Sequence, residues 1–551
     1  MIYQADATEG WIAEFNAMRQ ERRLIDPFYQ AASYYFDPLS AHAWAYEGEK
    51  FDGIKWNGDV FTGAGISANN RLSTFLMGNG TPPTAKWLEL TDGNEELMGR
   101  EEVAQFWADS TRVIERDMRG LPGRQSSFYL AMRDAYRNLG LSYGVVHVGE
   151  YKVAGRPTGD VFYEPVPPSS CWFRFGAHGE ITAFAYLRSM TNEQAAAFVQ
   201  RNMSKVPLGY AASDGPGASR QVLQMVKINY EAAPNPKAAH EFLFEERWID
   251  LREGKTMVRS GHRSQPFHVI GWNKIPGSHY FVGPAYDALP DLTGASAARK
   301  AQLQALAWQG RPPLLAGSKE GFDNPQRTLV PGRITFGAIN HDGKKMIQAL
   351  DSGMQAGIFQ YSVADDEARV RELMMGNELL SQRRPNMTAT EVMEIAQERA
   401  QMVAPFMITT MPGLKGMIAR HFELRLRVGG LPAVPSAVAS EGQMDANISG
   451  PMAIAARQSE VGNVFKTLEQ MQFVASLDPT GAALKRLDIK EITDLLARAN
   501  GTIAVLHSWD KVQKALADEA AQRDQVAQVQ IGQMQAQGAK DEAMALKAVM
   551  Q

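Results

Sequence analysis

Residues 140–144, Gly140-Leu141-Ser142-Tyr143-Gly144, have the G-x-S-x-G spacing of a hydrolase nucleophile elbow. That chemistry needs a strand before the serine and a helix after it, so that the hydroxyl stands exposed on a strained turn. Here the local pattern runs the other way. QSSFYLAMRDAYRNL (125–139) carries apolar residues at helical spacing, and GVVHVGEYK (144–152) alternates like a strand. Gly140 therefore reads as a helix stop leading into a turn. A serine hydrolase using Ser142 remains as the enzymatic alternative. Gly254-Lys255-Thr256 resembles the end of a phosphate-binding loop, but the position of the first glycine is Ile249. A turn between two strands accounts for it better. Gly63-Ala64-Gly65 lacks the third glycine of a dinucleotide fingerprint, since position 68 is Ala68.

The ten histidines are dispersed, His262 and His268 stand six apart, and no H-E-x-x-H occurs, so no metal site is expected. Asp365-Asp366 reads as the acidic start of a helix, where carboxylates favour the dipole and cap free N–H groups. Cys171 is the one cysteine. It can form no intrachain disulfide, fits a reducing compartment, and reads as a small half-buried core residue. The expectation is no catalytic residue, no cofactor and no metal.

The chain has 551 residues, enough for about three or four structural units. Hydrophobic residues make up 44% and charged residues 21%, so most of it can bury a core. With 57 Lys and Arg against 61 Asp and Glu, the net charge of −4 argues against a simple wrapper of DNA. The N-terminal MIYQADATEG has neither a basic nor an apolar signal region, and no run of about 18 apolar residues occurs. A soluble protein that starts in a cytoplasm, with no membrane partner, is expected.

Helices are predicted within 8–48 on both sides of Pro27, around 67–78, and over 99–118, 125–139 and 191–203. Strands are predicted at 144–152, 161–167, 170–176, 181–189, 222–231, 240–251, 255–260 and 265–275. Helices resume at 285–309, 343–358, 364–382 and 388–404, then 405–427 with a break near MPGLKG (411–416). Residues 428–445 read as a linker or sheet connection, and 450–550 as almost wholly helical. The class is α+β, mainly α.

Three stretches carry a family resemblance. Tyr280-Phe281-Val282-Gly283-Pro284-Ala285, with Ala288-Leu289-Pro290-Asp291, leads into a helix ending Gly310-Arg311-Pro312-Pro313-Leu314-Leu315. Asn386-Met387-Thr388-Ala389-Thr390-Glu391-Val392 opens another helix. Leu139-Gly140 passes from a helix to the strand containing Val148. From about 10 to about 430 the chain resembles the portal, or head-to-tail connecting, proteins of short-tailed phages. Many relatives read Tyr-Gly-Arg-Ser/Gly-Pro where this chain has Tyr280 to Pro284 without the arginine, so no contact of that side chain carries over.

The resemblance implies a portal fold with wing, stem, clip and helical crown, assembled as a ring of typically about twelve copies. It implies an N-terminal wing at 1–219, a β-rich clip at 220–284, a stem helix at 285–312, a wing continuation at 313–444 and a crown or C-terminal arm at 445–551. It further implies a conduit for double-stranded DNA at one capsid vertex of a virion assembled in the host cytoplasm. The implied partners are the terminase, the major capsid and scaffold proteins, and tail adaptor proteins. Within SQRRPNMT (381–388), Arg383, Arg384 and Asn386 are the candidate DNA-facing tunnel-loop residues, and Lys344 and Lys345 are secondary candidates. The alternative within the same class is another virion structural protein, of the tail or the internal core.

Overall fold

The computed structural model describes residues 8–45, 58, 60–98, 100–120, 127–153, 156–202, 219–310, 314–316, 342–344, 347–349, 356–374 and 389–448, with a few positions between 493 and 517. The described chain opens with four helices, α1 (Thr8–Arg22), α2 (Asp26–Phe36), α3 (Pro38–Ala45) and α4 (Ala64–Gly80). Pro27 lies inside the first turn of α2, where its missing N–H has no helical partner to lose. Strand β1 (Leu88–Asp92) precedes α5 (Glu95–Met98), α6 (Glu101–Arg119) and α7 (Ser127–Leu139). In α7, Phe128, Ala131, Met132, Ala135, Tyr136 and Leu139 recur at helical spacing and are all buried.

A run of strands follows: β2 (Tyr143–Val153), β3 (Arg156–Pro165), β4 (Cys171–Phe175) and β5 (Ile181–Thr191). Helix α8 (Asn192–Arg201) opens with a capping box made by Thr191 and Gln194. Then come β6 (Ser219–Ile228), β7 (Phe244–Asp250), β8 (Lys255–His262), β9 (Phe267–Gly271) and the small hairpin β10 (Asn273–Lys274) and β11 (Phe281–Val282). The strands form an antiparallel five-stranded sheet, β4-β5-β6-β7-β8, and an antiparallel three-stranded sheet, β3-β2-β9.

Side-chain alternation along the strands sets the layers. In β4, Trp172 joins Ala185, Leu187, Leu223 and Met225 under α1, which contributes Trp11, Phe15 and Met18. Cys171 and Phe173 point the opposite way, with Phe184 and Val226, towards Tyr143, Val145 and Phe267 of the three-stranded sheet. The far face of that sheet, with Val146, Val148, Tyr163 and Ile270, packs into the helical core with α7. The order is helix, sheet, sheet, helices: a mixed fold of helices and antiparallel strands.

The rest of the described chain is α9 (Ala285–Gly310), β12 (Leu314–Ala316), β13 (Ile347–Ala349), α10 (Ala356–Leu373), α11 (Ala389–Arg427), α12 (Ser436–Glu441) and β14 (Met444–Ile448). The expected linker 428–445 proves a sheet connection, because β14 pairs with β1. Four sequence expectations need correction. The helix at 343–358 is interrupted by β13, whose pairing with β12 is a tertiary contact that local periodicity does not contain. Asp365 and Asp366 lie in the middle of α10, not at its start. No break occurs at 411–416: α11 runs through Pro412 for 39 residues. The hydrogen bond lost at the proline is offset by close seating of the helix on β9. Cys171 is fully buried, not half-buried. The helices expected over 450–550 lie outside the described residues apart from single positions.

Candidate functional site

Two of the stretches that carry the resemblance touch each other. The segment entering α9 lies on the C-terminal end of α7, where Gly283 N–H donates to Leu141 O (3.2 Å) and Ala285 N–H to Gly140 O (3.0 Å). Gly283 sits against the carbonyls of Leu139 and Gly140 with no room for a Cβ. Tyr29 Oη donates to Phe281 O (2.6 Å), fixing the same segment from α2. From this anchor α9 runs beside α10 as a helix pair. The apolar stripe of α9 begins with buried Ala285, Ala288, Leu292 and Ala295 and continues to Leu303 and Leu306, which are exposed.

The candidate tunnel-loop residues Arg383, Arg384 and Asn386, with all of 381–388, lie outside the described residues, as does Lys345. Lys344 is exposed shortly before β13. What the structure does describe is the helix that follows the link. The C-terminal half of α11 is seated on β9, with Gly413 against Val269 and Gly416 against the His268 ring, 2.7 Å from where a Cβ would stand.

One turn on, Arg420 passes between elements. Its Nε donates to Val148 O (2.8 Å), and Nη1 donates to Ser264 O (2.6 Å) and Ser264 Oγ (3.0 Å). Nη2 donates to His262 Nδ1 (3.3 Å). Burial lowers this guanidinium to about 10. Burial, then the charges of Arg420 and His147, depress nearby His268 to about 3. His421, the next residue, contacts Tyr163 Oη (2.7 Å) and Asp117 Oδ2 (3.3 Å), and Arg425 Nε donates to the same Asp117 oxygen (2.5 Å). Burial pushes the Asp117 carboxyl up, but the His421 hydrogen bond and the Arg425 charge outweigh it and hold it below its usual range.

A second polar chain ties the sheets together. Arg188 donates to both oxygens of Glu164 (2.7 Å each) and to Gln224 Oε1 (2.9 Å). Gln224 Nε2 donates to Glu246 Oε1 (2.6 Å), and His262 Nε2 stands 3.0 Å from Glu246 Oε2. Burial works against the Glu164 carboxylate, yet hydrogen bonds from His147 and Arg188 bring it to about 2. None of these residues was singled out from the sequence as a group. The signal was faint: Leu414, Ile418, His421 and Arg425 share one helical stripe, so two polar residues sit where apolar ones belong.

The motifs that mimic chemistry resolve as structure. Ser142 has α7 before it and β2 after it, is 1% exposed, and its Oγ lies 3.5 Å from Asn138 O. Burial pushes the Cys171 thiol up to about 12, far from a nucleophile's range. Gly254, with φ of +65°, turns β7 into β8. Among the described residues, no group of His, Cys, Asp and Glu could hold a metal ion, and no helix is long and apolar enough to cross a membrane.

Residues 9–504 match the family of bacteriophage head to tail connecting proteins. The chain belongs to that family. A curated relative of this head to tail connecting protein, the "Probable portal protein" of Bordetella phage BPP-1, is 21% identical over 423 residues, covering 72% of this chain and 70% of the relative. Among solved structures, a chain of the virion of the native gene transfer agent particle covers 75% of this chain and 87% of its own, at 11% identity and a TM-score of 0.35. A chain from the neck of the empty gene transfer agent particle, computed with C6 symmetry, covers 73% and 85% at 13% identity and a TM-score of 0.36. The portal, head-to-tail connector assignment made from the sequence stands, and the protein is a structural component of a phage particle.

Proposed function

We propose that this head to tail connecting protein assembles as a ring of about a dozen copies at one capsid vertex and conducts double-stranded DNA during packaging and ejection. The observation that carries the reading is the family match over residues 9–504. The continuous 26-residue helix α9 suits the proposed stem helix. The division proposed is wing at 1–219, β-rich clip at 220–284, stem helix at 285–312, wing continuation at 313–444 and crown at 445–551. Hydrogen bonds between β5 and β6 make β4 and β5 continuous with the clip sheet.

The net charge of −4, repeated around a ring, gives an acidic body. Such a wall does not grip phosphates, and tight counterion-releasing contacts would stall a moving duplex. Arg383, Arg384 and Asn386 are proposed to face the DNA and damp the barrier at one level, with Lys344 and Lys345 as a second level. The ring docks the terminase, the scaffold and major capsid proteins, and tail adaptors, and itself hydrolyses nothing.

Mass measurement and negative-stain imaging of the purified chain are expected to show a ring of about a dozen subunits. A chain that stays monomeric at high concentration overturns the reading. The double variant Arg383→Ala, Arg384→Ala is expected to form rings while reducing the DNA retained per particle. Rings with unchanged DNA content would remove those arginines from the channel.

A further inference from the structure

His262 ends β8 and lies between two groups of opposite demand. Its Nε2 is 3.0 Å from Glu246 Oε2 on β7, and its Nδ1 receives Arg420 Nη2 from α11 at 3.3 Å. A guanidinium has donors and no acceptor, and it does not lose its proton in proteins. The contact with Arg420 therefore requires a bare lone pair on Nδ1, which leaves the hydrogen on Nε2 to be donated to Glu246. The geometry fixes the neutral tautomer.

Adding one proton to Nδ1 sets N–H against N–H and positive against positive across the same gap. The bond to Glu246 survives and gains charge, while the bond to Arg420 cannot persist. Arg420 keeps its other acceptors, Val148 O and Ser264 O, so it has a place to stay when the link breaks. The imidazole is 21% exposed, so solvent protons reach it. Two charged groups around it favour proton uptake and one opposes it. Glu246 on β7 and Glu423 on α11, which binds Ser264, favour proton uptake. Arg420 on α11 opposes it, while Ser260 on β8 and Gln224 on β6 are neutral partners of Glu246. From the other sheet, His268 on β9 stands near Arg420, and His147 on β2 stands near Glu246.

We propose that His262 is a proton-sensitive latch between the five-stranded sheet and α11, closed when the ring is neutral and released from Arg420 when it is protonated. The latch acts at the edge strand β8, whose inner neighbour β7 stays bonded through Glu246. Mild acid therefore loosens one sheet edge against the long helix and leaves the aromatic contacts between the sheets in place. The inference stands whether or not the chain forms a ring.

Hydrogen exchange of the intact chain, read by mass spectrometry on peptides over 255–264 and corrected for intrinsic rates, tests it at pH 7.5 and pH 5.5. Wild type is expected to lose about fivefold or more protection over 257–262 at pH 5.5 beyond any change in peptides over β5 and β6. His262→Gln can accept from Arg420 and donate to Glu246 but takes up no proton, and its 257–262 peptides are expected to change no more than those over β5 and β6. Glu246→Gln removes the carboxylate that draws the proton, so its loss of protection is expected only at lower pH. Protection in wild type that is equal at both values overturns the latch. So does loss that persists in His262→Gln, or loosening spread evenly over all peptides.

Discussion

The two sheets meet over a single interface made of two materials. At one end Phe184 and Phe267 stack with centroids 4.1 Å apart, Phe173 meets Tyr143 edge to face at 5.0 Å, and Tyr280 closes the cluster at 4.9 Å from Phe173. At the other end, on the same face of the five-stranded sheet, Arg188, Gln224, Glu246 and His262 form a hydrogen-bonded chain to Glu164 and Arg420. The aromatic end is held by area and ring geometry, which tolerate small shifts and ignore protons. The polar end is directional: each donor has a chosen acceptor, and removing one member strands the others in a low-dielectric place. One end joins the sheets; the other fixes their alignment and makes it conditional on charge.

The largest effect expected from breaking this contrast is at the aromatic end. Phe267→Ala removes a fully buried ring stacked on Phe184 and is expected to destabilise by about 4 kcal/mol. The penalty should be the same at pH 7.5 and pH 4, measured by urea unfolding followed through tryptophan fluorescence. At the polar end, Glu246→Ala leaves Gln224, Ser260 and His262 without their shared acceptor and is expected to cost about 3 kcal/mol at neutral pH. Burial opposes the Glu246 charge, but the charge and hydrogen bond of His262, with Ser260 and Gln224, hold its carboxyl well below the usual range. A carboxylate of depressed pKa contributes stability above its unfolded value, and that contribution fades as pH falls below it. The Glu246→Ala penalty should therefore hold from pH 7.5 down to about 4.5, the ordinary carboxyl value, and shrink only below it, while that of Phe267→Ala stays flat. Parallel pH profiles for the two variants would erase the distinction.

The aromatic end was legible as strands, the polar end hardly at all. Period-two alternation marked 181–189, 222–231 and 255–260, and the structure places β5, β6 and β8 there. The same alternation makes Arg188, Gln224 and Glu246 look like the wet face of a half-buried sheet. Only a second sheet laid over that face turns them into buried partners, and nothing local announces it. Distance in sequence hid other features for the same reason. β1 pairs with β14 from about 350 residues away, and β12 and β13 find each other across a long connection. Pro412 followed by Gly413 is a local stop signal, overruled because Gly413 and Gly416 let α11 lie directly on β9. The candidate tunnel loop, 381–388, lies outside the described residues, so its reading as a link between helices stays an expectation from Pro385 and Thr388. The stretches around Gly140 and Gly283 were readable as family signatures, but their contact with each other was not.

The smallest predicted effect sharpens the comparison from the helix side. His268 lies on the face of β9 turned towards α11, beside Gly416, and its Nε2 has no hydrogen-bond partner among the described residues. Burial, with Arg420 and His147 nearby, depresses it to about 3 from the ordinary 6.5. Between those values the unfolded chain holds a proton that the folded chain refuses, so stability falls as pH falls below 6.5. The expected loss is about 1 kcal/mol for each pH unit. His147 and His421 are shifted down by burial as well, so the informative quantity is the difference in slope between wild type and His268→Leu. Urea midpoints at pH 6.5 and 5.5 should fall less in the variant than in wild type. Equal slopes would mean that the folded protein admits a proton at His268. The charge of Arg420 would then be screened from β9, and the polar end would be less rigid than its hydrogen bonds suggest.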